Sequence, residues 1–153
     1  MSTLACVALG ANLGDAQHTV TQALADLSRL PQTTLRRQSS LYRTRPHEAE
    51  GPDFINAVAL VDTDLSPLDL LHAMQALEHR AGRERPYRHA PRTLDLDLLF
   101  HGDAVLDTPE LTLPHPRWRA RAFVLVPLAE VCPARVAPAW LAAVAHQPIE
   151  KLS

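Results

Sequence analysis

The sequence predicts an α+β domain, a ferredoxin-like βαββαβ antiparallel sheet with an added C-terminal hairpin and helices. Three observations carry this expectation. Short apolar or alternating runs bounded by turn residues read as strands, two stretches between them repeat apolar residues at helical spacing, and the helical stretches carry start and stop signals. The helices of such an order lie on one face of the sheet, which leaves the C-terminal helices to cover the other.

Leu4 to Leu9 is a continuous apolar run ending at Gly10, the pattern of a buried strand entering a turn. Val20, Ala23, Leu24 and Leu27 then recur at helical spacing, with Pro31 beyond the end. Thr33 to Thr44 and Phe54 to Thr63 read as strands, and the loop between them, Arg45 to Asp53, holds two prolines, a glycine and several charges. The second helix has the clearest boundaries: Ser66 as N-cap, Pro67 in the first helical position, Asp69 in the first turn and Gly82 past the end. Gly82 to Pro91 is an arginine-rich loop, and Thr93 to Phe100 returns to strand character. His101-Gly102-Asp103 reads as a turn, with Val105-Leu106 as the returning strand of a hairpin. Further on, Arg121 to Val131 reads as a helix broken near Pro127, and Trp140 to Ala145 as a final helix.

The 153 residues fit one domain, 1–153, and no apolar run reaches the roughly 20 residues of a membrane helix. No signal-peptide pattern opens the chain, so the expected location is the cytoplasm. Cys6 and Cys132 form no C-x-x-C pair and read as small core residues. A net charge of −2 and only seven aromatic residues (three Phe, two Tyr, two Trp) argue against a nucleic-acid coat or base-stacking platform. The distribution of charge says more than its total. Fourteen of the fifteen basic residues are arginine, and eight of them fall between Arg80 and Arg121, around Asp95 and Asp97. Arginine binds phosphate oxygens bidentately, so such a cluster beside carboxylates points to a polyphosphate with a metal ion, a salt-bridged surface being the plainer alternative.

In Thr93-Leu94-Asp95-Leu96-Asp97-Leu98-Leu99 the strand period puts Leu94, Leu96 and Leu98 on one face and both aspartates on the other. Carboxylates spaced by about 6.5–7 Å at Cα suit Mg²⁺ shared with substrate phosphates, although alternating Asp also occurs on solvated sheet faces. Arg83, Arg85, Arg88 and Arg92 precede the pair and Arg117, Arg119 and Arg121 follow it, placed to clamp phosphates from either side. His115 between two prolines is restrained and able to hydrogen-bond a phosphate oxygen. Gln75 and Glu78 share a helix face. Phe54 and Phe123 could sandwich one flat ring, or be ordinary core residues. There is no P-loop motif and no G-x-G-x-x-G after a strand.

Taken in order, Ala8-Leu9-Gly10-Ala11-Asn12-Leu13-Gly14, Tyr42-Arg43-Thr44, Phe54-Ile55-Asn56-Ala57-Val58, Pro91-Arg92-Thr93-Leu94-Asp95-Leu96-Asp97 and Pro114-His115-Pro116 resemble the 6-hydroxymethyl-7,8-dihydropterin pyrophosphokinase family of folate biosynthesis, from about Leu4 to Pro133. The resemblance implies transfer of the diphosphate of ATP to the pterin hydroxymethyl oxygen, leaving AMP. It implies two Mg²⁺ ions on Asp95 and Asp97, and pterin contacts at Thr44, Phe54, Asn56 and Phe123. ATP contacts fall on Gln75, Glu78, Arg92, Thr112, His115 and Arg121, with Arg83 and Arg92 serving the transfer step. Where the family often has Trp-Gly this chain has His89-Ala90, and Gly51 and Ala11 replace a common glutamine and serine. None of these removes a metal ligand or phosphate arginine, so the departures imply altered loop closure or affinity. The expected protein is a monomer that binds ATP and the pterin but neither nucleic acid nor membrane. A non-catalytic pterin- or nucleotide-binding paralogue is the alternative.

Overall fold

A computed structural model describes residues 2–45, 52–82 and 94–152. The chain runs β1 (Thr3–Ala11), α1 (Ala16–Leu27), β2 (Thr33–Gln38), β3 (Tyr42–Thr44), β4 (Phe54–Thr63), α2 (Pro67–Gly82) and β5 (Asp95–His101). It continues through β6 (Leu106–Asp107), β7 (Thr112–Leu113), α3 (Ala122–Val131), α4 (Pro138–Ala143) and β8 (Ile149–Lys151). The main sheet has the order β5-β1-β4-β3-β8, β2 also pairs with β4, and all its pairings are antiparallel. This is the ferredoxin-like order with one strand added at the edge.

Strand alternation sorts the core into two layers. Ala5, Val7, Leu9 and Ala11 of β1 join Ala57, Ala59 and Val61 of β4 under α1 and α2, while Cys6 and Ala8 join Val58 and Leu60 under α3. The C-terminal helices thus cover the face that α1 and α2 leave open. Each fully buried Val or Leu side chain here contributes about 1.5–3 kcal/mol against conformational entropy, and each buried alanine methyl less. Both free cysteines fit the core reading: Cys6 is buried, Cys132 half-buried, and burial pushes the Cys6 thiol well up.

Helix starts follow the sequence closely. Asp15 accepts from the His18 N–H at 3.2 Å and Ser66 from the Asp69 N–H at 3.1 Å, each satisfying a donor of the first helical turn.

Three sequence expectations are corrected. Thr33 to Thr44 is two strands, because Ser40 turns away from β4: its N–H and hydroxyl donate to Glu130 of α3 at 3.0 and 2.8 Å. Val105-Leu106 does not return along β5. Leu106 pairs with Leu113 instead, in a hairpin whose turn Thr108 closes by bonding both the carbonyl and the N–H of Leu111. The outer edge of β5 is met instead by Glu78 of α2 at the Leu96 N–H and by the His115 N–H at the Leu99 carbonyl. Finally, α3 is continuous through Pro127. The proline forfeits one backbone bond within the helix, while Val124, Leu125, Leu128 and Val131, buried against the sheet, hold the flanking turns.

Glu130 ties α3 to β3. Besides Ser40 it accepts from the Tyr42 hydroxyl at 2.7 Å, and burial with that bond pushes the Tyr42 phenol up. Burial acts to raise the Glu130 carboxyl, but the hydrogen bonds from Tyr42 and Ser40, with Lys151 nearby, outweigh it and hold the group below its usual 4.5. The folded state therefore binds fewer protons here than the unfolded chain, so this contribution is complete above about pH 4.5 and fades as pH falls through the depressed native value. Glu130→Gln should cost about 1–2 kcal/mol near neutrality, the figure for bonds to a charged acceptor discounted for solvent. Urea titrations from pH 7 to 3 should show the difference from wild type shrinking on acidification; a constant difference would count against this origin.

Candidate active site

The register of four strands sets out the site. Gly10 of β1 lies opposite Asp95 of β5 on one side and Asn56 of β4 on the other, and Asn56 lies opposite Tyr42 of β3. One residue pair along, Ala8 faces Asp97, and on β3 Thr44 faces Phe54. Asp95 and Asn56 are thus two strand spacings apart, about 10 Å, with a residue lacking a side chain between them. A Cβ built on Gly10 would stand 3.0 Å from Asn56 Nδ2, a tight contact that glycine avoids.

This row floors a cleft of about 1200 Å³. Thr44, Phe54, Asn56 and Phe123 line it together with Gln75, Glu78, Asp95, Asp97 and Arg121. The four sequence-expected pterin residues therefore share one space with Gln75, Glu78 and Arg121 of the expected ATP set and with both aspartates. The buried Thr44 hydroxyl donates to Asn56 Oδ1 at 2.7 Å, fixing the amide so that its NH₂ lies beside Gly10. A locked amide of this kind offers a flat heteroaromatic edge a hydrogen-bond pattern with little entropy left to lose. Arg121 stands with its guanidinium carbon 5.4 Å from the centre of the Phe123 ring, joining a cation to the aromatic wall.

At the other end, Glu78 reaches from α2 around the sheet edge and accepts from the Leu96 N–H at 2.9 Å. Leu96 lies between the two aspartates, so this bond holds the backbone from which both project. Asp97 is half exposed. Its ion partner is His115, which does not itself line the cleft, and a β-bulge lies where the two meet. Cys6 pairs with Phe100 but Val7 with Leu98, which leaves Leu99 without a register partner on β1; its carbonyl accepts from the His115 N–H at 2.9 Å. His115 Nδ1 accepts from the Arg117 N–H at 3.3 Å, so in the neutral ring Nε2 carries the proton, and it lies 4.0 Å from Asp97 Oδ1. Burial lowers the His115 pKa, Asp97 pulls it up, and Arg121 and Arg117 push it down; the net shift is downward.

Thr112 is not brought in: it is exposed on β7, and it does not line the cleft. Arg83 and Arg92 lie outside the described residues, as do positions 46–51 and 84–91 of the two expected loops. Arg45, Gln147 and Pro148 line the cleft without having been singled out in the sequence. Gln147 and Pro148 arrive only because β8 pairs with β3, for which the local sequence carries no signal.

No group of three or more His, Cys, Asp or Glu able to hold a metal occurs among the described residues. The Asp95–Asp97 pair nevertheless fits Mg²⁺, which takes one or two carboxylates and completes its shell with phosphate and water oxygens. No helix among the described residues is long and apolar enough to cross a membrane.

The family model for 7,8-dihydro-6-hydroxymethylpterin-pyrophosphokinase matches residues 6–133. A 2-amino-4-hydroxy-6-hydroxymethyldihydropteridine pyrophosphokinase of Pseudomonas aeruginosa is 47% identical, covering 95% of this chain and 94% of its own length. The enzyme of the same name from Bacillus subtilis is 41% identical over 86% of this chain and 80% of its own. Among solved structures, wild-type Plasmodium falciparum HPPK-DHPS superposes with a TM-score of 0.64 at 15% identity; the match covers 86% of this chain and 40% of that one, and supports the fold alone. The chain belongs to the 7,8-dihydro-6-hydroxymethylpterin-pyrophosphokinase family, ATP-dependent diphosphotransferases of folate biosynthesis that use Mg²⁺.

Proposed function

We propose that this cleft performs the family's transfer with the pterin ring at the Asn56 end and the ATP phosphates at the Asp95–Asp97 end. Thr44 and Asn56 read the edge of the pterin, and Phe54 and Phe123 enclose its faces. Gln75, Glu78, His115, Arg92 and Arg121 hold ATP, with Arg83 and Arg92 acting in the transfer, while Thr112, outside the cleft lining, is left out of the ATP set. Asp95 and Asp97 hold two Mg²⁺ ions, which when bound offset the charge of the phosphates. The reading includes a one-domain monomer, 1–153, working in the cytoplasm.

The hydroxymethyl oxygen attacks the β-phosphorus of ATP. A new O–P bond forms as the bond from that phosphorus to the α,β-bridging oxygen breaks; AMP leaves with the bridging oxygen and its electron pair, and the hydroxyl proton passes to water. Little covalent work falls to the protein, so positioning and electrostatics carry the catalysis. Neutral His115, its Nε2 proton turned toward the Asp97 side, is oriented to donate to a phosphate oxygen.

The observation that carries this reading is the row Asp95–Gly10–Asn56, which separates a carboxylate pair from a locked amide by about 10 Å across one cleft. The test is a product assay with ATP, Mg²⁺ and the hydroxymethyl-dihydropterin. AMP and pterin diphosphate should appear in equal amounts. ADP as the nucleotide product would overturn the assigned bond cleavage, and binding without turnover would favour a non-catalytic module.

A further inference from the structure

We propose that Gln147, in the C-terminal segment beyond the residues matched by the family model, is a positioning residue that aims Arg121 and Phe123 into the cleft. The inference rests on the placement of ATP and pterin given above. Gln147 Nε2 donates to the Ala120 carbonyl at 3.0 Å, and its Oε1 accepts from the Ala122 N–H at 2.9 Å. One amide thus brackets Arg121 from both sides.

The chemistry of the helix end explains why such a bracket matters. Arg121 is the N-cap residue of α3 and makes no side-chain capping bond, because its side chain has no acceptor. The first N–H of the helix, that of Ala122, is one of the orphan donors every helix start presents. Gln147 satisfies it from outside the helix, so the cap position is free for a residue that lines the cleft and sets its guanidinium over the Phe123 ring. Phe123 follows in the first turn, so the same clamp fixes the origin of the aromatic wall.

Gln147 itself is held. Pro148 follows it with a restricted backbone, and Ile149, Glu150 and Lys151 pair with Thr44, Arg43 and Tyr42 of β3; the Leu152 N–H then donates to the Leu41 carbonyl at 2.9 Å. The tail therefore joins the strand that carries Thr44 to the turn that carries Arg121 and Phe123. Through it, the two sides of the cleft are connected.

The test compares Gln147→Ala, Gln147→Glu and Arg121→Ala in steady-state kinetics, with pterin affinity measured separately by calorimetry. Losing two backbone hydrogen bonds should raise the KM for ATP and the Kd for pterin by about five- to tenfold in Gln147→Ala, with a smaller change in kcat. Gln147→Glu retains the acceptor for the Ala122 N–H but loses the donor, and should fall between wild type and Gln147→Ala; it also carries the test if the alanine variant does not fold. In an Arg121→Ala background, Gln147→Ala should add nothing to the KM for ATP. Wild-type KM and Kd in Gln147→Ala, a loss confined to thermal stability or kcat, or the same further loss without Arg121 would each overturn the inference. Arg121→Ala with an unchanged KM for ATP would instead overturn the placement of ATP on which it rests.

Discussion

Asp97→Ala is expected to lower the turnover of ATP to AMP by roughly 10³-fold, because removing one preorganised electrostatic partner of a phosphoryl group costs about that much. The side chain is half exposed and extends from a strand whose backbone is held independently through Leu96 and Glu78, so the fold should survive the change. Asp97→Asn keeps the size and one acceptor while removing the charge, and should lose nearly as much. Chelation of Mg²⁺ should stop the wild-type enzyme, with excess Mg²⁺ restoring it. In Asp97→Asn, any recovery should require a far higher Mg²⁺ concentration, since one carboxylate remains. Turnover assayed over a Mg²⁺ series, beside circular dichroism of each variant, separates these outcomes. Full activity of Asp97→Ala at ordinary Mg²⁺ would remove the carboxylate pair from the mechanism.

Local patterns carried most of the fold. The alternation in Leu94 to Leu98 correctly put the leucines inward and the aspartates on the cleft face, since strand geometry allows no other division. It failed two residues later, at Phe100. Leu99 and Phe100 both join the α3 layer because the bulge opposite Cys6 and Val7 inserts a residue, and a bulge depends on the partner strand rather than on the strand's own pattern. The division of Thr33 to Thr44 was hidden for the same kind of reason: Ser40 finds its partner ninety residues away, in Glu130. The hydrogen bond between Thr44 and Asn56 and the clamp of Gln147 on Ala120 and Ala122 are likewise tertiary facts. Family motifs located Thr44 and Asn56 without revealing that each fixes the other. Outside those motifs, nothing marked Gln147.

Gly10→Val should raise the Kd for the pterin by about 10²-fold, equivalent to roughly 2.7 kcal/mol, while changing the affinity for a non-hydrolysable ATP analogue far less. Even the Cβ of Gly10→Ala would lie 3.0 Å from Asn56 Nδ2, closer than a comfortable contact. Asn56 has little freedom to withdraw, since it is buried and its Oδ1 is held by Thr44 at 2.7 Å. Valine adds two methyl groups at the same point, so the amide must leave its position or the pterin edge must stand off from it. Alanine should produce a smaller loss, about tenfold, if the amide yields by a few tenths of an ångström. Thermal stability provides the control. Valine is a better strand residue than glycine, and its backbone entropy loss on folding is smaller, so propensity alone would stabilise β1. A variant that folds as well as wild type yet fails to bind pterin would therefore locate the loss at Asn56. Calorimetry of each ligand alone decides the matter: wild-type pterin affinity in Gly10→Val would mean that the Asn56 end of the row does not recognise the ring.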